Sequence, residues 1–229
     1  MISKESAKEF AIATAKGVIS TMPAGGLVAE YIGLAKDRAA SKIMQDWIAL
    51  VDVRLAKIES DLETLADDEF FYSFLHTATL GAMKALQKEK REMYANALVN
   101  VATLNTITDE KKAVFIWQLD KYSLVSIKVL HLLSQDNTAT KVFNQNMNVQ
   151  NHVYARMRNF DDDFITYVTD NIPELKNEKS FLYLILQTLF IDGLIEKVDS
   201  QHMEQGAACA KKRTTLLGDE FVSFIKLQD

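Results

Sequence analysis

The sequence predicts a mainly α protein, with an N-terminal helical hairpin or bundle followed by a C-terminal winged-helix-like domain that holds one small β-hairpin. Three observations lead there. Two prolines and eight glycines are all that break 229 residues, so long stretches meet no obstacle to helix formation. Apolar residues recur at three- and four-residue steps through most of the chain, the period of a helix face. The closing stretch FLYLILQTLFIDGLIEKVDSQHMEQGAACAKKRTTLLGDEFVSFI, residues 181–225, reads as apolar helix, glycine turn, strand, polar loop, strand and short helix. That is the order of the back half of a winged helix.

The chain is 48% apolar and 25% charged, enough apolar material for a core in each of two domains. The elements divide it into a helical bundle over residues 1–106, built on a long heptad-seam helix, and a winged-helix-like domain over 107–229. In the first domain, residues 4–21 form a small-residue helix. Ser3 or Ser6 caps it, and Glu5 and Glu9 suit the positive end of its dipole. Ala7, Ala11 and Ala15 recur at four-residue spacing, which admits a closely packed neighbour. MPAGG, residues 22–26, ends that helix.

A long helix is expected from Leu27 to Leu65. Its seam, Met44, Ile48, Val51, Leu55, Ile58, Leu62 and Leu65, alternates steps of three and four as a coiled coil does. Two readings follow. The seam packs within the chain as a helical hairpin, or Met44, Ile48, Val51, Leu55, Ile58 and Leu62 form a homodimer interface. Asp67 or Asp68 caps the next helix, whose Phe71, Leu75, Ala78 and Ala82 form a face that can pack back on the seam. Residues 88–104 continue as helix with Tyr94, Leu98 and Val101 buried, and Asn96 and Asn100 at the edge of that face. Asp109 caps a helix through Leu119.

In the second domain, Ser123–Leu133, Asp163–Thr169 and Glu178–Asp192 are the expected helical triple. Leu124, Ile127, Leu130 and Leu133 make the stripe of the first. The polar stretch 144–159 is a weak helix or a link. Leu194–Val198 and Arg213–Leu216 are the expected hairpin strands, and Gly218–Lys226 the closing helix. Gly193 suits the left-handed residue that follows a helix end.

A winged helix suggests DNA, so the third helix is the test. A base-reading helix needs a face of Arg, Lys, Asn or Gln. Here apolar residues cover almost the whole circumference, and the only polar strip is Lys179, Tyr183 and Gln187. Such a helix is buried or lies in an interface. The formal net charge of the chain is −5, and residues 108–229 carry 14 Lys/Arg against 17 Asp/Glu, so no basic field is available to displace phosphate counterions. Lys197, Lys211, Lys212 and Arg213 cluster on the wing and are the candidate nucleic-acid contacts. The alternative for them is a solvated hairpin whose charges guard its edges.

The residues EKREMYANALVNVA (89–102), YSLVSIKVLHLLS (122–134), LFIDGLIEKV and TTLLGDEFVSFI carry a resemblance. Their order is similar to the abortive-infection alpha-type proteins of bacteria, over residues 88–227. Tyr94, Ala95, Asn96, Leu98 and Asn100 match the family's first helical motif. Gly193, Leu194 and Ile195 match a later turn, and Thr215, Leu217, Gly218 and Phe221 the last motif. Lys121-Tyr122-Ser123 lacks the proline that the family often has near that helix start. The resemblance implies a role in phage defence and carries no catalytic residues.

No residue pattern in the sequence points to catalysis. His76, His131, His152 and His202 show no metal-ligand spacing. His202 and the single cysteine, Cys209, share the wing loop without a third ligand or an orienting group. One cysteine allows no internal disulfide, which suits a reducing compartment. Asp161, Asp162 and Asp163 are adjacent, so their carboxylates diverge and suit helix capping. Trp47 and Trp117 read as core or interface anchors. The expectation is therefore a non-enzymatic cytoplasmic protein with no cofactor and no metal, acting through a protein partner or as a homodimer.

Two alternatives stand beside it. Residues 7–34 form a low-charge hairpin that offers a membrane-active element on activation. Its longest uncharged run, 13 residues between Lys16 and Glu30, falls short of the ~20 needed to span a bilayer. The other alternative is a winged-helix DNA-binding regulator.

Overall fold

A computed structural model of the chain describes residues 38–56, 65, 68–136, 160–197 and 211–226. The expected N-terminal helix, the 7–34 segment, Ile58 and Leu62, the polar stretch 144–159, and the wing loop with His202 and Cys209 lie outside these residues. Among the described residues the protein is mainly helical, with eight α-helices and one 3-10 turn. They belong to two compact units, residues 1–121 with 223–229, and residues 122–222.

The first unit contains α1 (Arg38–Leu55), α2 (Glu69–Lys84), α3 (Lys88–Thr103) and α4 (Asp109–Lys121). Met44, Ile48, Val51 and Leu55 of α1 are all buried, and α1 packs on α2 and α3. Trp47 is buried beside them, and its indole N–H donates to Thr79 Oγ1 on α2 at 3.1 Å. A buried indole needs such an acceptor. Asp68 caps α2 as expected, its Oδ1 accepting from the Phe70 and Phe71 N–H groups at 2.8 and 3.2 Å. Phe71, Leu75, Ala78 and Ala82 are buried, the face expected for that helix.

Two residues of extended chain and one bend separate α2 from α3, so the pair forms a tight helical hairpin. Close contact is set at Gly81, where a Cβ would stand 2.4 Å from Tyr94 Cζ. The Tyr94 hydroxyl continues past the glycine and donates to Asp120 Oδ1 on α4 at 3.1 Å.

The segment 107–121, assigned from sequence to the C-terminal domain, packs with the first unit instead. The Lys112 side chain explains it. Its ammonium is buried, donates to the Val101 carbonyl at 3.1 Å and pairs with Asp109 at 3.1 Å. That bond ties the first turns of α4 to the end of α3.

Asn100 organises the end of the chain. Helix C-termini leave their last carbonyls without partners. The Asn100 amide nitrogen lies 2.8 Å from Phe224 O and 2.7 Å from Lys226 O. Asn96, one turn earlier on α3, donates to Ile225 O at 3.2 Å. The Phe224 ring, fully buried, meets Phe74 edge-on at 6.0 Å and Phe115 at 5.4 Å.

The second unit contains α5 (Leu124–Leu133), α6 (Phe160–Asn171), the 3-10 turn Pro173–Leu175, α7 (Lys179–Ile191) and the start of α8 (Leu216–Phe224). Ser123 caps α5, its Oγ accepting from the Ser126 N–H at 3.1 Å. Ile127, Val129, Leu130 and Leu133 are buried, while Leu124 of the expected stripe is only half-buried. α6 and α7 each pack against α5 and the 3-10 turn.

The expected strands are shorter than the sequence suggested. Among the described residues they amount to one antiparallel bridge between Ile195 and Thr214. Two backbone bonds flank it, Glu196 N–H to Arg213 O at 2.9 Å and Thr215 N–H to Leu194 O at 3.1 Å. Leu216, expected at the end of the second strand, opens α8 instead. The cause is Thr215, whose hydroxyl accepts from the Gly218 N–H at 3.1 Å and so caps the helix two residues early.

Two substitutions test the first unit. Gly81→Ala should destabilise the protein by about 1–3 kcal/mol, because the clash with Tyr94 outweighs the ~1 kcal/mol gained in helix propensity. Urea unfolding measures it. Asn100→Ala should lower stability by about 1–3 kcal/mol, the cost of buried carbonyls that lose their donor. A urea midpoint unchanged from the parent would contradict this role for Asn100.

Candidate functional site

The residue pattern of α7 is apolar nearly all round, but the fold buries only one side. Leu182, Ile185, Leu186 and Leu189 face α5 and the 3-10 turn and are buried. Tyr183, Leu184, Gln187, Phe190 and Ile191 are exposed. Leu184 is 58% exposed and Ile191 70%. From Ser180 to Ile191 there is no charged residue. Soluble surfaces normally scatter such residues singly, whereas here they share one face of one helix.

The ends of α7 are firmly set. Asn177 holds a positive φ of 67° just before it, a conformation that asparagine tolerates better than most residues. Beyond the last turn, Gly193 has φ 74°. Its N–H bonds Phe190 O at 2.9 Å, and the Leu194 N–H bonds Leu189 O at 2.9 Å. This pair of bonds is a Schellman turn, and its left-handed position favours glycine.

Three further contacts close this end. The Thr215 hydroxyl donates to Gly193 O at 2.6 Å. Gly218 lies so close that a Cβ there would stand 2.0 Å from Leu194 O. The buried Tyr122 donates its hydroxyl to Asp192 Oδ2 at the last turn of α7. The Thr215 bond also brings its neighbour Leu216, 76% exposed, near the end of α7. The sequence contained the signal for this face, namely the run without charge, but not the side on which it would be buried.

The candidate interface residues Met44, Ile48, Val51 and Leu55 do not contribute a free surface. They are buried, and their helix packs on α2 and α3. Trp117 is 58% exposed rather than in the core, with the Lys121 ammonium 5.0 Å from its ring centre.

The four wing cations differ in their surroundings. Lys197 and Lys211 are exposed. Lys212 bonds Asp219 at 2.6 Å. Arg213 is half-buried, its guanidinium 5.9 Å from the centre of the Phe164 ring, and its backbone N–H bonds Leu133 O at 2.8 Å. Among the described residues no group of three or more His, Cys, Asp or Glu is placed to hold a metal. No helix among them is long and apolar enough to cross a membrane. No protein family, curated protein or solved structure gives a significant match to the chain.

Two tyrosines make alkaline pH a probe of this packing. Burial, then the bond to Asp192, holds the Tyr122 hydroxyl far above the ordinary tyrosine range. Burial, then the charge of Asp120, does the same for Tyr94. A pKa raised in the folded state leaves stability intact below the unfolded value, about 10, and removes it as pH rises above that. Phenolate absorbance should therefore appear in two phases, the second coinciding with loss of helical circular dichroism. Complete ionisation of all tyrosines with the helix signal intact would contradict the burial of these two.

Proposed function

We propose that this protein is a non-enzymatic bacterial protein that acts through protein–protein contact made by the outer face of α7. The observation that carries the reading is the one-sided burial of α7, which leaves Leu184, Phe190 and Ile191 in solvent with no charge among them. Contiguous exposed apolar surface of this kind marks interaction sites. The scaffold is winged-helix-like. Supporting that is the order of α5, α6 and α7 followed by the Ile195–Thr214 bridge and α8, with α7 in the place of the recognition helix and the bridge at the base of the wing.

The same observation weighs against DNA. A helix reading bases offers a row of hydrogen-bonding side chains, and on the exposed face of α7 Lys179, Ser180, the Tyr183 hydroxyl and Gln187 are interrupted by Leu184, Phe190 and Ile191. Of the wing cations, Lys212 is held by Asp219 and Arg213 lies by Phe164, so a shared grip on phosphates has little to work with. The setting we propose is defence against phage, on the resemblance of residues 88–227 to the abortive-infection alpha-type proteins.

A phage challenge tests both parts. Bacteria expressing the intact chain should plate a susceptible phage at least tenfold less efficiently than bacteria without it. Leu184→Glu with Ile191→Glu should restore plating while thermal unfolding of the purified variant stays unchanged. Protection that survives the double substitution would rule out the α7 face. Absence of protection across a broad phage panel would rule out the defence role for the chain alone.

A further inference from the structure

We infer that the partner of the α7 face is a second copy of this chain, packed with the two α7 helices antiparallel about a two-fold axis. The inference rests on the reading of that face as an interaction surface and names what covers it. Three features of the molecule lead to this occupant.

The first is charge. A partner of different chemistry is selected by complementary charges within the contact, and residues 180–191 have none. The charges lie at the two ends of the helix and differ in net sign. Lys176, Glu178 and Lys179 at its start sum to +1, and Asp192, Glu196 and Lys197 past its last residue sum to −1. An antiparallel pair brings the basic end of each copy to the acidic end of the other. A parallel pair would set like charges together. The helix dipoles favour the antiparallel arrangement in the same sense.

The second is area. Tyr183, Leu184, Phe190, Ile191 and Leu216 are between 42% and 76% exposed. With large side chains of roughly 150–250 Å² each, they leave on the order of 500 Å² of apolar surface on one copy. Two copies then bury about 1,000 Å². That lies below the ~1,200 Å² of stable interfaces and in the range of weak, reversible contacts. The expected complex is a reversible dimer with a micromolar dissociation constant.

The third is symmetry. An isologous contact uses one patch twice, so each residue must meet a compatible one across the axis. α7 has 13 residues, about 20 Å. The exposed line Leu184, Gln187 and Ile191 runs along that length, so with the axis near Gln187 the two glutamine side chains meet and Leu184 of each copy faces Phe190 and Ile191 of the other.

Sedimentation of the full chain over a concentration series from about 1 to 100 µM tests this directly. The intact protein should pass from monomer to dimer across the series. Ile191→Glu and Leu184→Glu should each shift the midpoint at least tenfold upward, and Leu86→Glu, at a site 89% exposed in the first unit, should not move it. Lys179→Glu should weaken the dimer, and adding Glu196→Lys should restore it, which a second protein of unrelated sequence would not reproduce.

A monomer at every concentration overturns the second copy. If the phage protection still depends on Leu184 and Ile191 in that case, the interaction face stands and its occupant is another protein. A dimer that persists in both glutamate variants also overturns the inference, because the contact then lies elsewhere.

Discussion

A helical protein with few turn residues must find donors for the carbonyls at every helix end, and this constraint shapes both units. Each α-helix leaves up to four carbonyls without an intrahelical partner. At the end of α7 the solution is backbone, with Gly193 and Leu194 turning back to Phe190 and Leu189. At the end of α8 it is side chain, with Asn100 donating to Phe224 O and Lys226 O. At the end of α2, the Arg91 guanidinium reaches Ala85 O at 2.7 Å and the Ala85 N–H closes on Gly81 O. These closures determine where each helix stops, and therefore which side chains lie over a core.

The consequences are clearest at α7. Its end is held by Gly193, Thr215 and Gly218, and by the Tyr122–Asp192 bond. With that end fixed and Leu182, Ile185, Leu186 and Leu189 committed to the core, the rotation of the helix about its axis is set. Leu184 and Ile191 are then forced outward. An exposed apolar face is thus the result of a rigid scaffold, which is what a specific contact surface requires.

Much of this was legible in the sequence, and the rest failed for physical reasons. The described part of the α1 seam, a cap at Asp67 or Asp68, a helix start at Ser123 and the Gly193 turn were all readable, because each depends on a few neighbouring residues. Asn96 and Asn100 were readable only as polar residues at the edge of a helix face. Their partners lie more than 120 residues away in sequence, and no local rule connects them. The start of α8 was misplaced because Thr215 accepts a bond that a strand would not offer. For Trp117 the apolar neighbours left a core or an interface anchor open, and α4 turns it outward, which removes the core alternative. For α7, periodicity alone showed a helix apolar all round. Which side meets solvent depends on α5 and the 3-10 turn.

The central claim is that α7 buries one side and presents the other. Carbene footprinting of the intact chain at nanomolar concentration, read by mass spectrometry, tests it most directly, since dilution removes any second copy. The account expects labelling at Leu184 and Ile191 and protection at Leu182, Ile185 and Leu189. Protection of the whole helix at that dilution would contradict it, for it would mean that the chain itself covers the face.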